Sequence, residues 1–190
     1  MYTLITGGFG HIGSWTARKI IEQGGKVLIL DPKTAPPDCL SDYQKSYIHI
    51  SCDITRFAEI SEVFHKYQDQ IEGIVHTVGI MGEFVQDAPH RNTEINVNGF
   101  LNILEAARIF DIKKVVYTST GAVYGAIEGT AYETRHLPQP ADLYSATKAS
   151  AEMIGLQYGN TFGIDVRIAR VYFIYGPGKL PSEFIKLYRN

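Results

Sequence analysis

Short apolar runs alternate with helical stripes along the 190 residues of this chain. Tyr2–Thr6 and Lys26–Leu30 have the length and side-chain character of strands, as do residues 47–51, 73–78, 113–118 and 164–170. A helical segment, residues 14–23, separates the first two. Phe57, Ile60, Val63, Phe64 and Tyr67 form an apolar stripe at helical spacing, and Thr55 is placed to cap it. Residues 93–110 carry a second stripe (Ile95, Val97, Phe100, Leu101, Leu104, Ala107). Leu143–Phe162 presents small residues along one side, among them Ala146, Ala149, Ser150 and Gly155. Residues 32–46, rich in Pro, Asp and Ser, read as a loop. Strands alternating with helices predict βαβ units, so the fold class is α/β with a parallel sheet covered on both faces. No repeat, low-complexity tract or linker interrupts the pattern.

The turn between the first strand and the first helix reads Gly7-Gly8-Phe9-Gly10-His11-Ile12-Gly13. One glycine allows a tight turn, another lets backbone N–H groups approach a pyrophosphate, and a third lets the helix pack close to the strand. Unpaired N–H groups and the positive dipole end of the helix then face the phosphates. An acid, Asp31, follows at the end of the second strand, placed to accept hydrogen bonds from ribose hydroxyls and to repel a 2′-phosphate. An ordinary glycine-rich βα turn is the bland alternative. In this context the pattern predicts a Rossmann-type doubly wound sheet that binds NAD in preference to NADP, with Gly7, Gly10, His11, Ile12, Gly13 and Asp31 at the cofactor. Lys33, close to Asp31, leaves that preference open.

Composition narrows the partners. The net charge of −2 comes without a Lys/Arg run, so neither nucleic acid nor an anionic membrane is expected. No apolar stretch approaches the roughly 20 residues that span a bilayer. The chain enters its first strand without a basic leader, so a cleaved signal peptide is not expected. Cys39 and Cys52 stand in no metal or redox spacing and read as reduced thiols of a cytoplasmic protein. The six histidines form no i, i+4 pair, so no metal site is expected.

The second half carries the chemistry. Thr118-Ser119-Thr120-Gly121-Ala122-Val123-Tyr124-Gly125 is followed by Tyr144-Ser145-Ala146-Thr147-Lys148. On a helix, Tyr144 and Lys148 share one face. A free tyrosine is a poor base at neutral pH, but a neighbouring ammonium favours the phenolate. Tyr144 could then take the proton of a substrate hydroxyl while the carbinol hydride passes to a nicotinamide, with Thr120 bonding the same oxygen. A chance helical pair is the bland reading of Tyr-x-x-x-Lys taken alone. Tyr124 and Tyr175 read as buried aromatics, His76 as a satisfied core histidine, and Glu83, His90 and Arg91 as solvated loop charges.

These stretches, with Asp53 and Asn96-Val97-Asn98-Gly99, resemble the extended short-chain dehydrogenase/reductase family, in its branch of NAD-dependent epimerases and dehydratases. The resemblance implies that Asp53 and Ile54 sit beside adenine and that the Val78-Gly79 loop flanks the cofactor. It also implies that Lys148 holds the nicotinamide ribose and that Asn96 positions the active-site helix or caps its own. A homodimer through the helices at 93–110 and 143–162 is implied as well.

Three departures limit the transfer. Dehydratases of the family carry Asp-Glu directly after the active-site threonine, where this chain has Gly121-Ala122. Members acting on nucleotide sugars often have Asn three residues after the arginine of the sixth strand, where this chain has Phe173 after Arg170. Family members also continue well past Tyr175-Gly176-Pro177-Gly178. Residues 1–178 therefore read as the NAD-binding domain and 179–190 as the start of a substrate lobe that is largely absent. The reading is an NAD-dependent epimerase or dehydrogenase acting by hydride transfer on a sugar or sugar-nucleotide-like substrate. An epimerase would re-reduce a transient ketone from its other face. A simple NAD-dependent ketone or alcohol oxidoreductase and a truncated, non-catalytic NAD-binding module are the alternatives.

Overall fold

The computed structural model of the chain describes residues 1–81, 87–133 and 135–179. Six strands form one sheet: β1 Tyr2–Thr6, β2 Lys26–Leu30, β3 Tyr47–Ile50, β4 Ile71–His76, β5 Lys114–Thr120 and β6 Asp165–Val171. Their order is β3-β2-β1-β4-β5-β6, and every neighbouring pair is parallel. Strand carboxyl ends therefore share one edge, and the order reverses between β1 and β4, where such sheets open a crevice. Leu4, Ile5 and Val27 to Leu30 are fully buried, which is why these strands read as continuous apolar runs rather than alternating ones.

The helices are α1 His11–Glu22, α2 Phe57–Tyr67, α3 Pro89–Thr93, α4 Gly99–Ile109 and α5 Leu143–Phe162. A π-turn, Glu94–Asn98, joins α3 to α4. Residues of α2, α4 and α5 pack with Leu4, Leu28, Leu30 and Tyr117 in the larger core, while Ala17 of α1 packs with Ile5, Val27, Ile29 and Leu40 in a second one. Helix α5 begins with a reciprocal cap: Ser145 N–H donates to Asp142 Oδ1 at 2.7 Å, and Asp142 N–H donates to Ser145 Oγ at 3.2 Å. Such a cap is worth about 1 kcal/mol and fixes the helix start, placing Tyr144 in the first turn. Gly163, in the left-handed region, ends the helix.

Several boundaries differ from the pattern-based expectation. Helix α1 starts three residues early because the glycine motif itself supplies its first turn. The loop at 32–46 contains a 3-10 turn, Asp38–Tyr43, that buries Leu40. Thr55 does not cap α2; the N-cap is Arg56, and Thr55 donates instead to Asp53. Strand β5 runs on to Thr120, so the threonine is part of the strand end. Residues 180–190 and Glu83 lie outside the described residues.

Candidate active site

The glycine turn closes on itself. Gly7 has φ +71° and Gly10 N–H donates to Gly7 O at 2.9 Å. Gly13 is the tightest point. A Cβ there would stand 2.3 Å from Gly7 O and 2.8 Å from both Gly8 Cα and Thr77 Oγ1. Thr77 fastens the same place from β4, donating to Thr6 O at 2.8 Å and Gly7 O at 3.2 Å. The N-cap of α1 is Gly10, with no side-chain cap, so the helix start is lined by backbone alone. His11 and Ile12 flank it, half-buried, on a groove that also includes Trp15 and Tyr175. Burial, and then the charge of Lys179, lower the His11 pKa and keep the imidazole neutral near pH 7.

Asp31 is buried at the end of β2. Its Oδ2 accepts from Phe9 N–H at 3.0 Å and its Oδ1 from Lys33 N–H at 2.9 Å. The same acid that faces the crevice thus braces the glycine turn. Asp53 stands at the end of the next strand. Burial would raise its carboxyl, but the Thr55 amide and hydroxyl at 3.0 and 2.8 Å, with the Arg91 charge, hold it below the ordinary range. Arg91, expected as a solvated charge, reaches Asp53 at 3.7 Å and Glu94 at 2.8 Å. The Ile54 side chain is core: it fills the space over Gly99, where a Cβ would lie 2.5 Å from Ile54 Cδ1.

The loop after β4 carries Val78 and Gly79 and is clamped by two buried asparagines. Asn96 accepts from Ile80 N–H at 2.8 Å and donates to Ile80 O and to Thr147 Oγ1, both at 3.1 Å. Asn92 donates to Ile80 O at 3.1 Å and accepts from Thr147 Oγ1 at 3.3 Å. Asn96 is therefore not a cap; it joins the loop directly to α5. The π-turn rotates it into that position, as π-turns at functional sites do. Gly79 faces Lys148: a Cβ on it would sit 3.3 Å from the ammonium nitrogen.

Thr120 and Tyr144 meet at the carboxyl edge of β5, and Lys148, one helical turn further along α5, lies over the Tyr117 ring of the same strand. The Thr120 hydroxyl accepts from Ala122 N–H at 3.2 Å, which leaves its proton for the Tyr144 oxygen beside it. Burial raises the Tyr144 phenol; the Thr120 interaction opposes this and Asp142 adds to it. The expectation that Lys148 lowers Tyr144 is not met, for a physical reason. Lys148 is itself almost wholly buried, its ammonium 4.4 Å over the Tyr117 ring, and burial brings it down to about 7 against the raising charge of Glu152.

Several residues of this region carry weak sequence signals or none. His76 is buried, and among the described residues it is only half satisfied: Nδ1 meets Thr6 Oγ1 at 2.7 Å, while Nε2 finds no partner there, like the Tyr117 hydroxyl and Ser119 Oγ. Tyr124 is buried as expected, but Tyr175 is 84% exposed. The Tyr172 ring covers Gly121, where a Cβ would lie 2.4 Å from Tyr172 Cε1. Asn92 and Thr147 carry no local signal in the sequence, whereas Glu152 stands one helical turn after Lys148 on the same face and pairs with Arg170.

The matches to known proteins agree with this geometry. A family profile described as "NAD dependent epimerase/dehydratase family" matches residues 3–190. A putative UDP-glucose 4-epimerase of Methanocaldococcus jannaschii is 32% identical over 94% of this chain and 58% of its own length. A UDP-glucuronate 4-epimerase of Thermodesulfobacterium geofontis is 29% identical over 97% of this chain and 59% of its own. Among solved structures, the Thermus thermophilus UDP-glucose 4-epimerase in complex with NAD superposes with a TM-score of 0.86 at 29% identity, covering 96% of this chain and 58% of that one. A dTDP-glucose 4,6-dehydratase of Streptomyces venezuelae with NAD bound gives 0.88 at 28% identity, covering 99% and 61%. The chain thus spans about three fifths of the length of these relatives. Sheet order, glycine turn and the Thr120–Tyr144–Lys148 cluster converge on one conclusion: the chain belongs to the NAD-dependent epimerase/dehydratase family, within the extended short-chain dehydrogenases/reductases.

Proposed function

We propose that the chain binds NAD and supports hydride transfer at a carbinol carbon of a sugar or sugar-nucleotide substrate, as an epimerase or dehydrogenase. The observation that carries this is the meeting of Thr120 and Tyr144 at the sheet edge, with Lys148 one helical turn on over Tyr117, beside a glycine turn that has no room for a side chain at Gly13. The cradle fits a dinucleotide. Gly7, Gly10, His11, Ile12 and Gly13 would take the pyrophosphate on backbone N–H groups. Asp31 would take the adenosine ribose, Asp53 and the Ile54 backbone the adenine, and Val78, Gly79, Tyr144 and Lys148 the nicotinamide half. NAD+ held there would supply the hydride acceptor and a positive charge near Tyr144.

Before substrate binds, the Thr120 proton favours the Tyr144 phenolate; the phenolate then takes the proton of the substrate hydroxyl, and Thr120 donates instead to the oxygen left behind. Lys148, with a pKa near neutrality, donates to the ribose from its place over Tyr117. Gly121 under Tyr172 leaves no carboxylate after Thr120, which favours this reading over dehydration. Residues 1–178 act as the cofactor domain, and residues 179–190 as the start of a truncated substrate lobe. Two free thiols suit a reducing cytoplasm. Among the described residues no helix is long and apolar enough to cross a membrane.

The test is calorimetric titration with NAD+ and NADP+, followed by mixing the NAD+ complex with UDP-hexoses while absorbance is followed at the NADH band. The expected result is at least tenfold tighter NAD+ binding, from the Asp31 charge against a 2′-phosphate, and a transient NADH signal. NADH that accumulates with converted substrate would exclude the epimerase form. Tight NAD+ binding with no signal for any sugar would favour the non-catalytic module.

Helices α4 and α5 support a homodimer. Ile109, Met153, Leu156 and Phe162 stand on them as exposed large apolar side chains, Met153 at 57%. Light scattering at micromolar concentration is expected to give twice the chain mass, and Met153→Glu with Leu156→Glu to give a monomer. A wild-type monomer would sink the dimer.

A further inference from the structure

Glu152 is 1% exposed, one turn beyond Lys148 and two beyond Tyr144 on α5. Such a carboxylate needs a partner. Arg170, near the end of β6, provides it as a fork: Nε donates to Glu152 Oε1 at 3.0 Å and Nη2 to Oε2 at 2.7 Å. The remaining arm, Nη1, donates to the Tyr124 hydroxyl at 2.6 Å. Tyr124 closes the short turn Gly121–Tyr124, whose N-cap is Thr120, and Val123 and Tyr124 of that turn pack against Ala149 of α5. Buried ion pairs seldom repay their desolvation, so stability alone is a weak reason to place one here.

We propose that Arg170 is a positioning residue: by bonding Glu152 of α5 and Tyr124 of the turn after β5 together, it holds the Thr120 hydroxyl against Tyr144. Only three residues, Gly121 to Val123, separate the clamped Tyr124 from Thr120, so a slipped turn moves the threonine directly. Arg170 touches neither reacting oxygen. It sets the distance between the strand end and the helix, the two elements whose meeting makes the site. This rests on the reading of Thr120 and Tyr144 as the acting pair.

The test is read on Tyr144 itself and needs neither cofactor nor substrate, so its failure is separable from a failed NAD+ titration. Tyrosines labelled with carbon-13 are titrated by NMR, Tyr144 being assigned from Tyr144→Phe. The groups acting on it are Thr120 and Tyr117 of β5 and Asp142, the N-cap of α5; beyond them Lys148 lies over Tyr117 with His76 and Glu152 near it, and Arg170 of β6 pairs with Glu152. Thr120→Val removes the hydroxyl and is expected to move the Tyr144 titration upward. Arg170→Lys and Tyr124→Phe both keep the net charge, so any shift they cause is geometric. Each is expected to move Tyr144 upward by part of the Thr120→Val shift, and Thr120→Val with Tyr124→Phe to move it no further than Thr120→Val alone. Variants that melt earlier yet titrate Tyr144 at the wild-type value would overturn the proposal, as would additive shifts in the double variant or no shift in Thr120→Val. Should Arg170→Lys fail to fold, Tyr124→Phe decides in the same way.

Discussion

Gly13→Ala is expected to abolish NAD+ binding and to cost the fold about 2–3 kcal/mol, lowering the melting temperature by about 5–10 °C. The added methyl would lie 2.3 Å from Gly7 O and 2.8 Å from Gly8 Cα, both backbone atoms of a turn already tied down by Asp31 and Thr77. A side-chain neighbour could rotate away; these cannot. The chain must instead push α1 off β1, and the helix start then leaves the position where its N–H groups meet a pyrophosphate. Gly10→Ala is the internal control. Its Cβ would meet Gly7 O at 3.1 Å, a contact a small shift relieves, so a smaller loss is expected. Calorimetry with NAD+ and a thermal melt measure both. Wild-type affinity in Gly13→Ala would refute the cradle.

Lys148→Met is expected to stabilise the protein while damaging its function. Burial brings the Lys148 ammonium from 10.5 down to about 7, against the favourable charge of Glu152. Between those two values the unfolded chain holds more protons than the folded one, so wild-type stability rises with pH across that window. Below pH 7 the folded protein bears the whole cost of a buried charge, about 3–5 kcal/mol. Methionine fills similar space without that cost. The variant should therefore melt about 10 °C higher at pH 6, with the gain shrinking towards pH 10. Loss of a charged hydrogen bond to the ribose should weaken NAD+ binding about 10- to 100-fold. A variant less stable than wild type at pH 6, or a gain independent of pH, would show that Lys148 is not held against its solvation. A residue kept at such a cost belongs to function.

Helix α5 carries both Tyr144 and part of the proposed dimer face, and Arg170 ties it, through Glu152, to Tyr124 of the turn after β5. Three parts of the chain meet at Tyr144: the strand end with Thr120, the helix start capped by Asp142, and the β4 loop fastened by Asn96 through Thr147. Each is short and could move alone. Their mutual hydrogen bonds remove that freedom before any ligand arrives, which is how preorganised sites avoid reorganising during reaction.

The sequence by itself determined the sheet and the glycine turn, and it marks Thr120, Tyr144, Lys148 and Asp31 as the candidates for the site. Each of those is local: strand runs, a turn that only glycine tolerates, and an i, i+4 helical pair are set by residues near one another in the chain. Only the tertiary structure decided the charge state at the site. Tyr144 and Lys148 are neighbours in sequence, yet their pKa shifts follow burial and, for Tyr144, contact with Thr120, and the depth of that burial beside Tyr117 is set by the packing of β5 against α5. The same holds for Asn92 with Ile80 and for Arg170 with Glu152. Desolvation and hydrogen bonding depend on what else fills the space around a group, and that is fixed when distant segments pack.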